Sequence, residues 1–196
     1  MDPDVFAIGD ELETVNASRV ALTSLQHSDA DTIFTIYSDP EAMRYWSTVV
    51  MTDRAEAVAL IESVHRLFAE QSLLQWGVVR RDDARLIGTV TLASLDAQNM
   101  RAELGFMLSR DCWGQGYMRE GLVALLGYAF DKLGLKRIEA DVDPLNAASL
   151  GLLQRLGFQR EGLLRERWRV GDGIQDSVIL GLLSREWQAP AVSKSS

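Results

Sequence analysis

The sequence predicts a single mixed α/β domain, on three observations. Stretches that alternate apolar and polar residues are interleaved with stretches that repeat apolar residues every 3.6 positions. A Gly-x-Gly turn joins one kind to the other, and 196 residues are enough for one well-buried core but short for two.

In chain order, residues 19–25 alternate as a first strand, and Ser28 or Asp29 can cap the helix that follows. Pro40 breaks the chain, and Thr52 or Asp53 opens a longer helix with Val58, Ile61, Val64, Leu67 and Phe68 on one side. These two helices form a first lid. Residues 74–80 and 86–94 read as strands joined by the polar turn Arg81-Asp82-Asp83-Ala84, and they lead into a strand over residues 102–108. A hairpin-linked sheet is the simplest account. The next helix carries Leu122, Leu126, Ala129, Phe130 and Leu133 on one face. Gly134 closes it, and residues 136–142 form a strand parallel to the one before the helix, through a right-handed crossover. Pro144 ends that strand. Asn146 can cap a helix bearing Leu150, Leu153 and Leu156, with Gly157 as its left-handed stop. Residues 159–170 and 175–183 are antiparallel strands around Gly171-Asp172-Gly173.

The segment Trp113-Gly114-Gln115-Gly116-Tyr117-Met118-Arg119-Glu120 sits between strand and helix. The first turn of a helix has unpaired N–H groups and a partial positive charge, so this turn is a seat for a phosphate-like anion. It lacks the Gly-Lys-Ser/Thr ending of a P-loop, and Arg119 stands where a dinucleotide fingerprint places its third glycine.

Composition narrows the function further. No apolar run approaches the roughly 18 to 20 residues of a membrane span, and residues 1–17 lack the features of a signal peptide. The lone Cys112 cannot form an internal disulfide, which fits a cytoplasmic protein. Of the net charge of −8, Asp2, Asp4, Asp10, Glu11 and Glu13 supply five units near the start, with no Lys or Arg among them. That balance argues against a nucleic-acid-binding surface. Residues 1–18 read as an acidic arm, mobile or an edge strand, residues 19–188 as the domain, and 189–196 as a flexible tail. His27 and His65 have no metal-ligand spacing, so no metal is expected.

The ordered text Ala102-Glu103-Leu104-Gly105-Phe106, the glycine loop, Arg137-Ile138-Glu139-Ala140, Asn146-Ala147-Ala148-Ser149, Leu156-Gly157-Phe158 and Glu161-Gly162 resembles the GNAT superfamily of acetyl-CoA-dependent N-acetyltransferases. The likeness continues through Leu164-Arg165-Glu166 and Asp176 to Glu186-Trp187, and its nearest type is RimJ/RimL, which acetylates N-terminal amines of ribosomal proteins. The resemblance implies a mostly antiparallel sheet with a parallel strand pair splayed at the acetyl-CoA site. It implies that amides of Gly114, Gln115, Gly116, Tyr117, Met118 and Arg119 hold the diphosphate of coenzyme A. The pantetheine arm would then run beside Phe106, Met107 and Leu108 and meet the Asn146 amide. Asn146 as an ordinary helix cap is a compatible alternative. Two departures from the family loop are Trp113, where Gln or Arg is common, and Met118, where Gly or Ala is common.

Acetyl transfer needs a neutral amine, a stabilised oxyanion and a proton for the thiolate. Glu103, an acid in an otherwise apolar strand, is the candidate base, against the alternative of a solvated edge carboxylate. The resemblance implies Ser149 as proton donor, against a first-turn serine bonding backbone. Leu153 and Trp168 stand where many relatives carry a tyrosine acid and some Rim-type enzymes a glutamate. Tyr45, Trp46 and Trp168 are candidates for the acceptor pocket, or else core aromatics, and Arg165, Glu166 and Arg167 could orient a polar acceptor or form a wet strand face. Covalent catalysis by Cys112 is disfavoured because Asp111 beside it opposes a thiolate. The resulting expectation is direct acetylation of a primary amine, foremost a protein N-terminus. A small amine such as a polyamine, amino acid or aminoglycoside is the alternative, as is a non-catalytic acyl-CoA-binding module. The resemblance also allows a homodimer through the late strands.

Overall fold

The computed structural model describes residue 6 and residues 8–189. The start of the acidic arm, residues 1–5 and 7, and all of the tail but residue 189 lie outside the described residues. One eight-stranded sheet runs in the order β1-β2-β3-β4-β5-β6-β8-β7. Its strands are β1 (Val15–Asn16), β2 (Val20–Ser24), β3 (Leu73–Arg80), β4 (Arg85–Asp96), β5 (Arg101–Leu108), β6 (Arg137–Val142), β7 (Gln159–Val170) and β8 (Gly173–Leu183). Of these pairings, β5 with β6 is parallel and the others are antiparallel. The helices are α1 (Ala30–Tyr37), α2 (Arg54–Ala69), α3 (Tyr117–Asp131) and α4 (Ala147–Arg155).

The sheet separates two apolar clusters. On one face Leu122, Leu126 and Ala129 of α3 pack with Leu22, Trp76, Leu104 and Ile138, and Leu153 of α4 joins them. On the other, Ile33 and Ile36 of α1 and Ile61 of α2 pack against Leu25, Leu86 and Met107. The parallel pair needs a crossover, and α3 supplies it.

Local chemistry accounts for the element ends. Asp53 caps α2 by accepting from Ala55 N–H at 2.8 Å, while Glu56 reaches back to Asp53 N–H at 3.0 Å. Asn146 caps α4, its Oδ1 accepting from Ser149 N–H at 3.1 Å. Gly157 ends that helix at φ +99°, a conformation that favours glycine.

Two details differ from the sequence reading. Neither Ser28 nor Asp29 caps α1 with its side chain, because a short 3₁₀ turn (His27–Asp29) precedes the helix and the Asp29 carboxylate accepts from Gln26 N–H at 2.7 Å instead. β8 begins at Gly173, since Val170 and Gly173 pair across a tight turn with Gly171 at φ +55°. Of the two readings of the acidic arm, its described end takes the edge strand: Val15–Asn16 pairs with β2, and the buried Trp76 indole donates to the Glu13 carbonyl at 2.8 Å.

Candidate active site

β5 and β6 pair from Arg101↔Arg137 to Glu103↔Glu139 and then part. β5 continues to Leu108 paired with β4, and β6 continues to Val142 paired with β8. Their divergence opens a cleft of about 740 Å³, within the usual range for a ligand site. The glycine loop lines one end with Gly114, Gly116, Met118 and Arg119. Phe106, Met107, Leu108, Asn146 and Ser149 flank the middle, and Tyr45, Trp46, Glu103 and Trp168 stand at the other end. The side chains of Gln115 and Tyr117 fall outside the lining: Gln115 Nε2 donates to the Asp111 carbonyl at 2.8 Å, and the Tyr117 ring lies under the Arg19 guanidinium.

Gly114 and Gly116 hold φ at +71° and +81°, and Gly116 is the N-cap of α3. Side chains rarely adopt that backbone, which is why glycine stands at both positions. The first intrahelical bond of α3 is Glu120 N–H to the Gly116 carbonyl, at 3.1 Å. The amides of residues 114–119 find no acceptor among the described residues. A row of unspent donors at a helix N-terminus, with open space over Gly114, fits a diphosphate.

Ser109 N–H donates to the Ile87 carbonyl of β4 at 2.7 Å, so alternation turns the backbone groups of Phe106 and Leu108, beyond the paired stretch of β5 and β6, away from β4 and toward the cleft. Trp113 occupies one of them, its Nε1 donating to the Leu108 carbonyl at 2.8 Å. The residue that departs from the family loop therefore tethers that loop to the end of β5. Asn146 spends Oδ1 on its cap and keeps its amide N–H₂ for the cleft it lines.

At the far end Glu103 is half-buried, with no hydrogen bond or ion pair to a described residue. Burial pushes its carboxyl above the usual range, the Asp141 and Glu139 charges push the same way, and Arg167 and Arg101 oppose them. Trp46 packs over Gly105, and its ring meets Tyr37 edge-on at 6.3 Å. The Tyr37 hydroxyl and Thr89 Oγ1 share a buried hydrogen bond of 2.7 Å that fixes this aromatic pair to the sheet. Across the wedge, Trp168 Nε1 donates to both Asp141 oxygens at 3.2 Å, and Arg167 Nε stands 3.6 Å from the same carboxylate.

Asp141, whose side chain is only 12% exposed, is the residue that sequence reasoning missed. The available signal was period 2: Arg137, Glu139 and Asp141 share one face of β6, two positions apart, just where the strands separate. Cys112 also lines the cleft, but burial and then the Asp111 charge push its thiol up, so it is not a ready nucleophile. No group of three or more His, Cys, Asp or Glu residues able to hold a metal occurs among the described residues.

Comparison with known proteins places this geometry. The family model for the acetyltransferase (GNAT) domain matches residues 19–159. The N-acetyltransferase p20 of Bacillus licheniformis is 35% identical over 176 residues, covering 90% of this chain and 99% of that protein. The ribosomal protein uS5-alanine N-acetyltransferase of Escherichia coli is 26% identical over 130 residues, 66% of this chain and 67% of that enzyme. Mycobacterium smegmatis RimJ in complex with CoA-disulfide superposes with a TM-score of 0.79 at 21% identity, covering 89% of each chain.

Proposed function

The chain belongs to the GNAT acetyltransferase family, and we propose from this that it moves an acetyl group from acetyl-CoA directly onto the N-terminal α-amine of a protein, a ribosomal protein foremost. The observation that carries the reading is the wedge between β5 and β6, with unspent amides at one end and a half-buried carboxylate of raised pKa at the other. The donor lies between them. Amides of residues 114–119 grip its diphosphate, the open edge of β5 pairs with its pantetheine arm, and the Asn146 amide meets that arm from the opposite wall.

In the reaction the Glu103 carboxylate accepts a proton from the entering ammonium, directly or through a water. The freed nitrogen lone pair then attacks the thioester carbonyl. Unpaired N–H groups on the cleft side of β5 stabilise charge on the carbonyl oxygen. The carbon–sulfur bond breaks, the nitrogen sheds its second proton to solvent, and Ser149 Oγ passes its proton to the departing thiolate and regains one from solvent. Removing a proton near pH 7.4 costs about 0.5 kcal/mol for an N-terminal amine and about 4 kcal/mol for a lysine. Leu153 supplies no acid, so a site with only Glu103 and Ser149 suits the easier amine. The relative that acetylates an alanine of uS5 supports the same acceptor class.

The test offers acetyl-CoA with peptides bearing a free or blocked N-terminus, matched lysine peptides, polyamines and aminoglycosides in one mixture, read by mass spectrometry. Acetylation on free N-termini is the expected product. Faster acetylation of lysine or of the small amines overturns the acceptor assignment, and absence of any product with bound coenzyme A leaves a binding module.

A further inference from the structure

We propose that Arg19 is the positioning residue of the diphosphate loop, holding residues 115–120 from behind so that their amides face the donor. The inference rests on the reading of that loop as the donor's seat. Arg19 immediately precedes β2, far from the loop in sequence, yet one residue spans the whole turn. Its backbone N–H and its Nε donate to the two oxygens of Glu120, the latter at 2.8 Å, and NH1 donates to the Gln115 carbonyl at 3.1 Å. The guanidinium also lies over the Tyr117 ring, 4.8 Å from its centroid. A Cβ on Gly116 would come within 3.3 Å of NH2, so the arginine lies close against the back of the loop.

The consequence follows from peptide geometry. In a trans peptide the C=O and the next N–H point in opposite directions. Pinning the Gln115 carbonyl to Arg19 therefore aims the Gly116 N–H away from Arg19, and Gly116 lines the cleft. The contacts of Arg19 are with acceptor oxygens and a ring face, so the loop's donors stay free. Only a planar fork serves Glu120 and Gln115 together, since a lysine ammonium has no fixed geometry. The Arg19 side chain is 50% exposed, and a half-exposed ion pair adds little global stability. Its effect is thus local, on the shape of the loop.

Steady-state kinetics with two donors test this: acetyl-CoA, and acetyl-pantetheine, which carries the same thioester arm without the diphosphate. In Arg19→Ala the KM for acetyl-CoA should rise about tenfold with kcat within about twofold, and the KM for acetyl-pantetheine should stay within about twofold. Arg19→Lys should fall between. An unchanged acetyl-CoA KM, or an equal loss with both donors, overturns the proposal. Should Arg19→Ala fail to fold, Arg19→Lys and Glu120→Gln carry the same comparison. A wild-type enzyme with no preference for acetyl-CoA over acetyl-pantetheine refutes the diphosphate seat and this inference together. A preference undiminished in Arg19→Ala refutes the inference alone.

Discussion

Glu103 has two measurable signatures because its surroundings penalise its charged form. As a base it must be ionised, so kcat/KM should rise with pH through a limb above 4.5, the ordinary value for the group. Glu103→Gln should remove that limb and lower turnover by about 10²-fold or more. The stability effect has the opposite sign. A carboxyl whose folded pKa is raised keeps its proton longer when folded, so stability is lost as pH rises from the unfolded pKa through the folded one. Thermal melts should therefore show Glu103→Gln more stable than wild type at pH 7.5, with the gain vanishing below about pH 4.5. Equal melting curves and equal pH–rate profiles for the two proteins would remove Glu103 from both roles. Residue type made Glu103 visible in the sequence, as an acid amid apolar strand residues. The bond between Asp141 and Trp168 was not visible, because it joins β6 to the distant β7 and depends on bulges in β7 where Glu166 takes φ +55°.

The central element is β5, which pairs with β4 in regular register from Gly88↔Leu108 to Ala93↔Glu103. Gly88 lies in that stretch, and a Cβ there would come within 2.2 Å of the Met107 carbonyl and 3.1 Å of Leu108 Cα. Gly88→Ala must therefore push the β5 backbone where the pantetheine arm is proposed to pair. The expected result is a loss of about 1–3 kcal/mol in denaturant unfolding together with a raised KM for acetyl-CoA. A variant with wild-type stability and KM would show that β5 tolerates the shift. Periodicity and turn chemistry made most strands and helices legible, down to Asp53 and Asn146 as caps. The 3₁₀ turn before α1 was not, since it is too short to show a period.

At the scale of the whole molecule, one parallel pair in an otherwise antiparallel sheet creates the site. Antiparallel neighbours hold β5 and β6 from their outer sides, so the pair can separate beyond Glu103 and Glu139 while each strand keeps a partner. α3 and α4 then begin at the two walls of the wedge, which brings their N-terminal turns to the same cleft. The crossover was legible from the order strand, glycine turn, helix, strand. The point of separation was not, because it depends on register between strands linked only through α3. No helix among the described residues is long and apolar enough to cross a membrane. The central claim is that main-chain donors of residues 114–119 hold the diphosphate of coenzyme A, and calorimetric titration of the protein with coenzyme A tests it most directly. Saturable heat at one site per chain, abolished in Gly116→Val because valine cannot hold φ near +81°, is the expected result. No heat from the wild-type protein at millimolar coenzyme A, or equal heat from Gly116→Val, would contradict it.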